Sequence, residues 1–299
     1  MIPFPVVGVA RPSFLILTPV CISLGLASVL LAGHDVEWNL LTVVFLGALM
    51  AHISVNTLNE YADFQSGLDF KTDRTPFSGG SGTLIIQPRL APYALVIGFA
   101  SLVVTLVCGL YLLQRTGWGL IPIGIVGMLI IISYTNWINR HRLLVLITPG
   151  LSFGPLMVVG THYALTGVYS PIAFLLSLIP FFLVNNLLLL NQIPDVDADR
   201  SVGRDNFVIA WSPAKSAWIF LGFGVLTYLV IIIGVLVGSL PLTALLGLLT
   251  AGFTIQIFNG VSDYQGNIEE LVPQLGKNVL VTLVTPFLVF IGIMVDIAL

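Results

Sequence analysis

Asn191-Gln192-Ile193-Pro194-Asp195-Val196-Asp197-Ala198-Asp199-Arg200-Ser201-Val202-Gly203-Arg204 is a dense run of charge between long apolar stretches. It has an earlier counterpart, Asn59-Glu60-Tyr61-Ala62-Asp63-Phe64-Gln65-Ser66-Gly67-Leu68-Asp69-Phe70-Lys71-Thr72-Asp73-Arg74. Seven of the chain's 14 acidic residues fall in these two segments. The chain as a whole is 57% hydrophobic and 8% charged, with a mean hydropathy of +1.03. A soluble domain carries about 25% charged residues, so this composition describes an integral membrane protein.

A helix needs roughly 20 apolar residues to cross about 30 Å of hydrocarbon. The runs around the two motifs supply nine such spans, at 13–32, 39–58, 91–113, 118–136, 144–166, 171–190, 214–237, 241–259 and 279–298. None shows the strict alternation of a barrel strand, so the expected fold is all-α, a polytopic bundle in a single domain over 1–299. The first apolar run reads as a true span rather than a cleaved leader, because Ile2 to Ala10 is short, holds two prolines and lacks a basic start. Cys21 and Cys108 lie within apolar runs and read as small core residues.

Lys and Arg accumulate in cytoplasmic loops. With the N-terminus inside, ten of the 11 basic residues fall on the cytoplasmic side and Arg115 alone outside. The motif loops, 59–90 and 191–213, then face the cytoplasm, and the C-terminus lies outside. Their similar order, with Asn at the end of an apolar run, then spaced aspartates, then basic residues, suggests an internal duplication. Placing such charges at the bilayer centre costs about 2.5–3.5 kcal/mol each, so they belong at the interface or in a wet cavity.

On a helix, residues four apart share a face, which pairs Asn59 with Asp63 and Asp195 with Asp199 and turns Asp197 away. Each pair is a two-pronged set of hard oxygen ligands. Mg²⁺ uses few such ligands when it bridges protein to substrate phosphates. Lys71, Arg74, Arg140, Arg200 and Arg204 are the cations available to a diphosphate, with Asp69, Asn186 and Asn191 as further candidate contacts. Gly79-Gly80-Ser81-Gly82 reads equally as a phosphate-binding loop or a hairpin turn. His52 and His162, isolated in spans, read as helix-to-helix hydrogen-bond partners.

Both motifs, in this order after spans two and six, resemble those of the UbiA superfamily of intramembrane prenyltransferases. Glu60 stands where the common first motif has Asp, and Gly67 where it has a further Asp. The Asp63-Phe64-Gln65-Ser66-Gly67-Leu68-Asp69 variant is similar to the branch that prenylates 1,4-dihydroxy-2-naphthoate in menaquinone synthesis. So is Phe153-Gly154-Pro155-Leu156 through Gly160-Thr161-His162-Tyr163 to Thr166-Gly167.

The resemblance implies helices around a central cavity in the cell membrane, capped on the cytoplasmic side by the motif loops. It implies Mg²⁺ held by Asn59, Asp63, Asp195 and Asp199, a polyprenyl diphosphate donor and an aromatic acceptor. Ionisation of the donor would give an allylic cation attacked by the acceptor ring, with Tyr134 beside it. An alternative acceptor is 4-hydroxybenzoate or another quinone or lipid precursor. The non-enzyme alternative is a transporter, which predicts polar groups near mid-membrane rather than at one face. Nothing in the charge pattern calls for a nucleic-acid partner.

Overall fold

In lipid an apolar run must hydrogen-bond its own backbone, and each long run does so as a helix. The computed structural model describes residues 4–299. Its principal helices are α1 (Leu17–Leu31), α2 (Trp38–Ser66), α3 (Pro88–Thr116), α4 (Trp118–Ser133), α5 (Arg142–Thr166), α6 (Pro171–Asn191), α7 (Pro213–Leu236), α8 (Leu242–Ser262) and α9 (Ile268–Ala298). The described residues contain no strand.

Seven of these helices are long and apolar enough to cross a membrane; α1 and α4, at the first and fourth expected spans, are shorter. The 15 residues of α1 rise about 22 Å, less than the hydrocarbon thickness. Residues 12–16 form turns, following Arg11, whose φ is +51°, so the regular helix starts at Leu17 rather than at 13.

The span expected over 144–166 is one element with a widened middle. Residues Ser152–Val159 form a π-helix, with Pro149 just before it and Pro155 inside it. A proline cannot donate its backbone bond and crowds the carbonyl four residues earlier, and a wider turn relieves both. Gly150 and Gly154 face α6 so closely that a Cβ on either would meet its backbone, Phe181 O and Ser177 O respectively. The Gly150 N–H also donates to Asn185 Oδ1 at 2.6 Å.

Helix α6 is the hub, with Leu176, Ile179, Leu183, Leu189 and Leu190 buried among α1, α5, α7 and α9. Without water as solvent, small residues and polar bonds help hold such bundles together. Asn186 Nδ2 donates to Phe220 O at 2.8 Å, and Asn278 Nδ2 donates to Asn186 O at 3.1 Å. His52 Nδ1 pairs with Thr18 Oγ1 at 2.9 Å and His162 Nδ1 with Ser28 Oγ at 2.8 Å, the helix-to-helix roles expected of them.

Interloop contacts sort the ends of the bundle. Arg115 pairs with Glu37, and Tyr169 donates to Gly119 O, at one end. At the other, Arg142 pairs with Asp205, Lys71 reaches Ser201, and the Gly79 N–H reaches Asp195. That second end is the mouth of a cavity of about 700 Å³.

Candidate active site

The first motif is the last turn of α2. Gly67, at φ +76°, ends the helix, its N–H reaching the carbonyls of Asp63 and Phe64. This left-handed backbone position favours glycine. The chain then makes a single tight turn, Leu68–Phe70, which brings Asp69 to the cavity and buries it. Gly67 thus replaces a carboxylate with a turn that delivers another one two residues later.

The second motif leaves α6 at Asn191 and forms a short helix, Val196–Ser201, with Asp195 at its N-cap position. Asp199 points inward and is 4% exposed, whereas Asp197 points to solvent, as its position between the pair requires. Arg204 follows the helix and runs between the motifs. Its Nη1 donates to Asp199 Oδ1 at 3.0 Å, and its Nη2 donates to Asp63 Oδ1. Asn59 Nδ2 donates to Asp63 Oδ2 at 2.9 Å, while its Oδ1 accepts from Thr135 Oγ1 at 2.9 Å.

Asp63, Asp69, Asp195 and Asp199 line the cavity mouth with Asn59, Asn191 and Tyr134, against the guanidinium groups of Arg11 and Arg204. Four carboxylates facing two cations leave the mouth short of positive charge. Burial, then the neighbouring Asp63 and Glu60 charges, push the Asp69 carboxyl up to about 7. Burial and Asp199 do the same to Asp195, also to about 7. A cation bound among them would reverse that electrostatic pressure.

The donor set fits Mg²⁺ shared with a substrate. Among the described residues no three carboxylate, imidazole or thiol groups gather closely enough to hold an ion unaided. Mg²⁺ does not need them, since it typically takes one or two carboxylates and completes its shell with waters and phosphate oxygens. Asp195 Oδ1 and Asn191 Oδ1 are both buried at this mouth without a hydrogen-bond partner. Asn191 therefore joins Asp195 as a candidate ligand, whereas Asp63 and Asp199 share Arg204.

Other expected contacts lie elsewhere. Of the five proposed diphosphate cations only Arg204 lines the cavity. Arg200 leaves the opposite face of the short helix toward Asp197, Lys71 donates to Ser201, Arg74 donates to Gly79 O, and Arg140 is exposed. Asn186 is committed to helix packing through Phe220 and does not line the cavity.

A pair that charge spacing could not reveal is Arg11 with Glu60. Glu60, 1% exposed, accepts from Arg11 Nε at 2.7 Å, from the Ser81 N–H at 2.7 Å and from Ser81 Oγ at 2.9 Å. With the Gly79 N–H on Asp195 Oδ2 at 3.2 Å, these bonds pin the glycine-rich loop across both motifs. The loop's turns are built from Gly79, Gly80 and Gly82, all at positive φ, and the amides of Gly79 and Ser81 serve protein carboxylates. Glu60→Gln is expected to destabilise the protein by about 1–3 kcal/mol, the worth of hydrogen bonds to a charged group. An unfolding midpoint in detergent unchanged from the parent would refute the clamp.

Residues 18–271 match the UbiA prenyltransferase family. The chain belongs to this family. A curated relative is the 1,4-dihydroxy-2-naphthoate octaprenyltransferase of Bacillus subtilis (strain 168), 29% identical over 181 residues, 58% of this chain and 55% of that protein. The match thus spans about half of that relative's length.

Two solved structures share the UbiA fold at low identity. A UbiA homologue from Aeropyrum pernix K1 is 18% identical with a TM-score of 0.69, covering 93% of this chain and 97% of that one. A UbiA homologue from Archaeoglobus fulgidus bound to DMAPP and Mg²⁺ is 14% identical with a TM-score of 0.66, covering 95% and 98%.

Proposed function

We propose that this chain is an Mg²⁺-dependent prenyltransferase acting as one domain over 1–299, which moves a polyprenyl group from its diphosphate to an aromatic acceptor, 1,4-dihydroxy-2-naphthoate. The observation that carries the reading is the convergence of Asp63, Asp195 and Asp199, from two separate motifs, on the mouth of one largely apolar cavity. A diphosphate head group with an apolar tail has that same division. The named activity of the Bacillus relative supports the choice of acceptor, and the Mg²⁺ and DMAPP bound to the Archaeoglobus homologue support the choice of metal and donor class.

Asp195, Asn191, Asp63 and Asp199, with Asn59 behind Asp63, would hold the metal. When bound, Mg²⁺ neutralises the charge that grows on the departing diphosphate. Arg204 supplies fixed positive charge at the same mouth, oriented in advance by its two carboxylates. Tyr134, which directly follows α4, lines the cavity with Asn59 and Asp63, and its ring would stabilise the allylic cation there. The apolar walls keep water from the allylic cation, so that the acceptor ring carbon forms the new bond. The diphosphate leaves with the C–O electron pair, and the attacked ring carbon regains aromaticity by releasing its proton or, where it carries the carboxylate, carbon dioxide. Family membership and carboxylates gathered at one end favour this enzyme over a transporter.

The deciding experiment incubates purified protein with Mg²⁺, labelled prenyl diphosphates and an acceptor panel including dihydroxynaphthoate and 4-hydroxybenzoate. A prenylated naphthoate product by mass is expected, and its loss on adding a chelator. Transfer to hydroxybenzoate alone would reassign the acceptor; no prenylated product would reject the enzyme. The distribution of Lys and Arg supports a mouth on the cytoplasmic face of the cell membrane. A cysteine at position 115 is then expected to react with an impermeant reagent from outside and one at 140 not to; the reverse pattern would invert the orientation.

A further inference from the structure

The cavity continues far below the carboxylates. Its lining passes from Asp63 and Tyr134 down to Val44, Leu112, Leu120 and Ala164, residues that cluster at the opposite end of the bundle. One wall of this lower part is α4, and no residue of Ile121–Ser133 is buried, so the helix stands off from its neighbours. Gly124 and Gly127 on that wall, and Gly109 on α3 facing the same space, line the cavity. A Cβ built on any of the three meets nothing within 4 Å. Elsewhere several helical glycines serve close packing, as Gly98 against Leu58, Gly150 against α6 and Gly224 against Thr254 show, while Gly222 and Gly252, equally open, lie on the exposed face of their helices and outside the cavity. These three glycines serve no such contact, and what they leave open is cavity.

Depth gives the missing side chains a meaning. Gly127 and Gly124 precede Tyr134 by seven and ten residues, about 10 and 15 Å along the helix. A short allylic tail held by its diphosphate at the mouth ends above them, and a long one must pass them. We infer that the open wall formed by Gly124, Gly127 and Gly109 sets the length of prenyl chain this protein accepts, admitting tails too long for the upper cavity. The inference deepens the prenyl-transfer reading and takes its ligand class, an allylic diphosphate, from it.

The test replaces Gly124 or Gly127 with Leu and, on α3, Gly109 with Leu. Leucine favours helix over glycine and meets open space at all three positions, so the variants are expected to fold. Binding of geranyl and octaprenyl thiolodiphosphates, which resist ionisation, is measured by displacement of a labelled analogue, separately from turnover. A side chain filling a hydrophobic pocket changes discrimination by about tenfold or more. The variants are expected to lose octaprenyl binding by that factor while geranyl binding stays within error of the parent.

Equal binding of both analogues, or equal loss of both, in any folded variant would overturn the inference. If one variant fails to fold, the other two decide. A parent that binds both analogues but transfers neither would defeat the proposed activity and leave length selection intact. A parent that binds only the short analogue would defeat length selection and leave the activity standing.

Discussion

Arg204→Met is expected to lower prenyl transfer by about 10²–10³-fold, the usual loss when one preorganised charge at a reacting centre is removed. The same change is expected to destabilise the protein by about 3–5 kcal/mol, because it strips the shared partner from two buried carboxylates. Asp63 and Asp199 are 5% and 4% exposed, and Arg204 is itself largely buried between them. Methionine keeps much of the volume, so packing contributes little to either effect. Added Mg²⁺ is expected to restore part of the lost stability, since Arg11 is then the one guanidinium left at the mouth and it is bonded to Glu60. Thermal unfolding in detergent with and without Mg²⁺, beside a transfer assay, checks both effects. A stable, fully active Arg204→Met protein would reduce Arg204 to a topological charge.

That role for Arg204 was only partly legible in the sequence, and the reason is geometric. Arg200 and Arg204 are equivalent as charges after a motif. The short helix Val196–Ser201 separates them, sending Arg200 toward solvent and Asp197, while the turn at Gly203, with φ +79°, returns Arg204 to the mouth. The spacing of Asp195 and Asp199 did predict that both line one cavity with Asp197 outside. Membrane class and helix positions were equally readable, because lipid tolerates neither charge nor unpaired backbone. The π-helix in α5 and the shortness of α1 were not. They depend on how prolines settle against neighbouring helices rather than on apolar length.

Glu60 and Arg11 mark the other limit. They stand 49 positions apart, and nothing local to either one announces the other. Arg11 counted in the sequence only as one more basic residue, and Glu60 as a variant of an acidic motif position. In the fold they meet beneath the glycine-rich loop, where Arg11 also lines the cavity in a left-handed backbone conformation. For a residue with a Cβ that conformation costs on the order of 1 kcal/mol, which the buried ion pair offsets. The motif position therefore acts in the proposed site by holding the loop that contacts Asp195, not by touching the cavity.

Asp63→Asn is the second large effect expected, and it separates charge from shape. Asparagine preserves the size of the side chain and retains an oxygen to accept from Asn59 or Arg204, so the fold should persist with Arg204 still paired to Asp199. What disappears is one negative charge at a mouth where four carboxylates face two guanidinium groups. If that excess recruits Mg²⁺ with the diphosphate, kcat/KM should fall by about 10²–10³-fold. The Mg²⁺ concentration giving half-maximal rate should rise as well, a change that a merely structural substitution would not produce. Asp197→Asn, altering a carboxylate whose side chain is 95% exposed, should leave both quantities unchanged. Equal behaviour of the two variants would dissolve the distinction between the inward and outward faces of the motif, and with it the assignment of the mouth as the metal and diphosphate site.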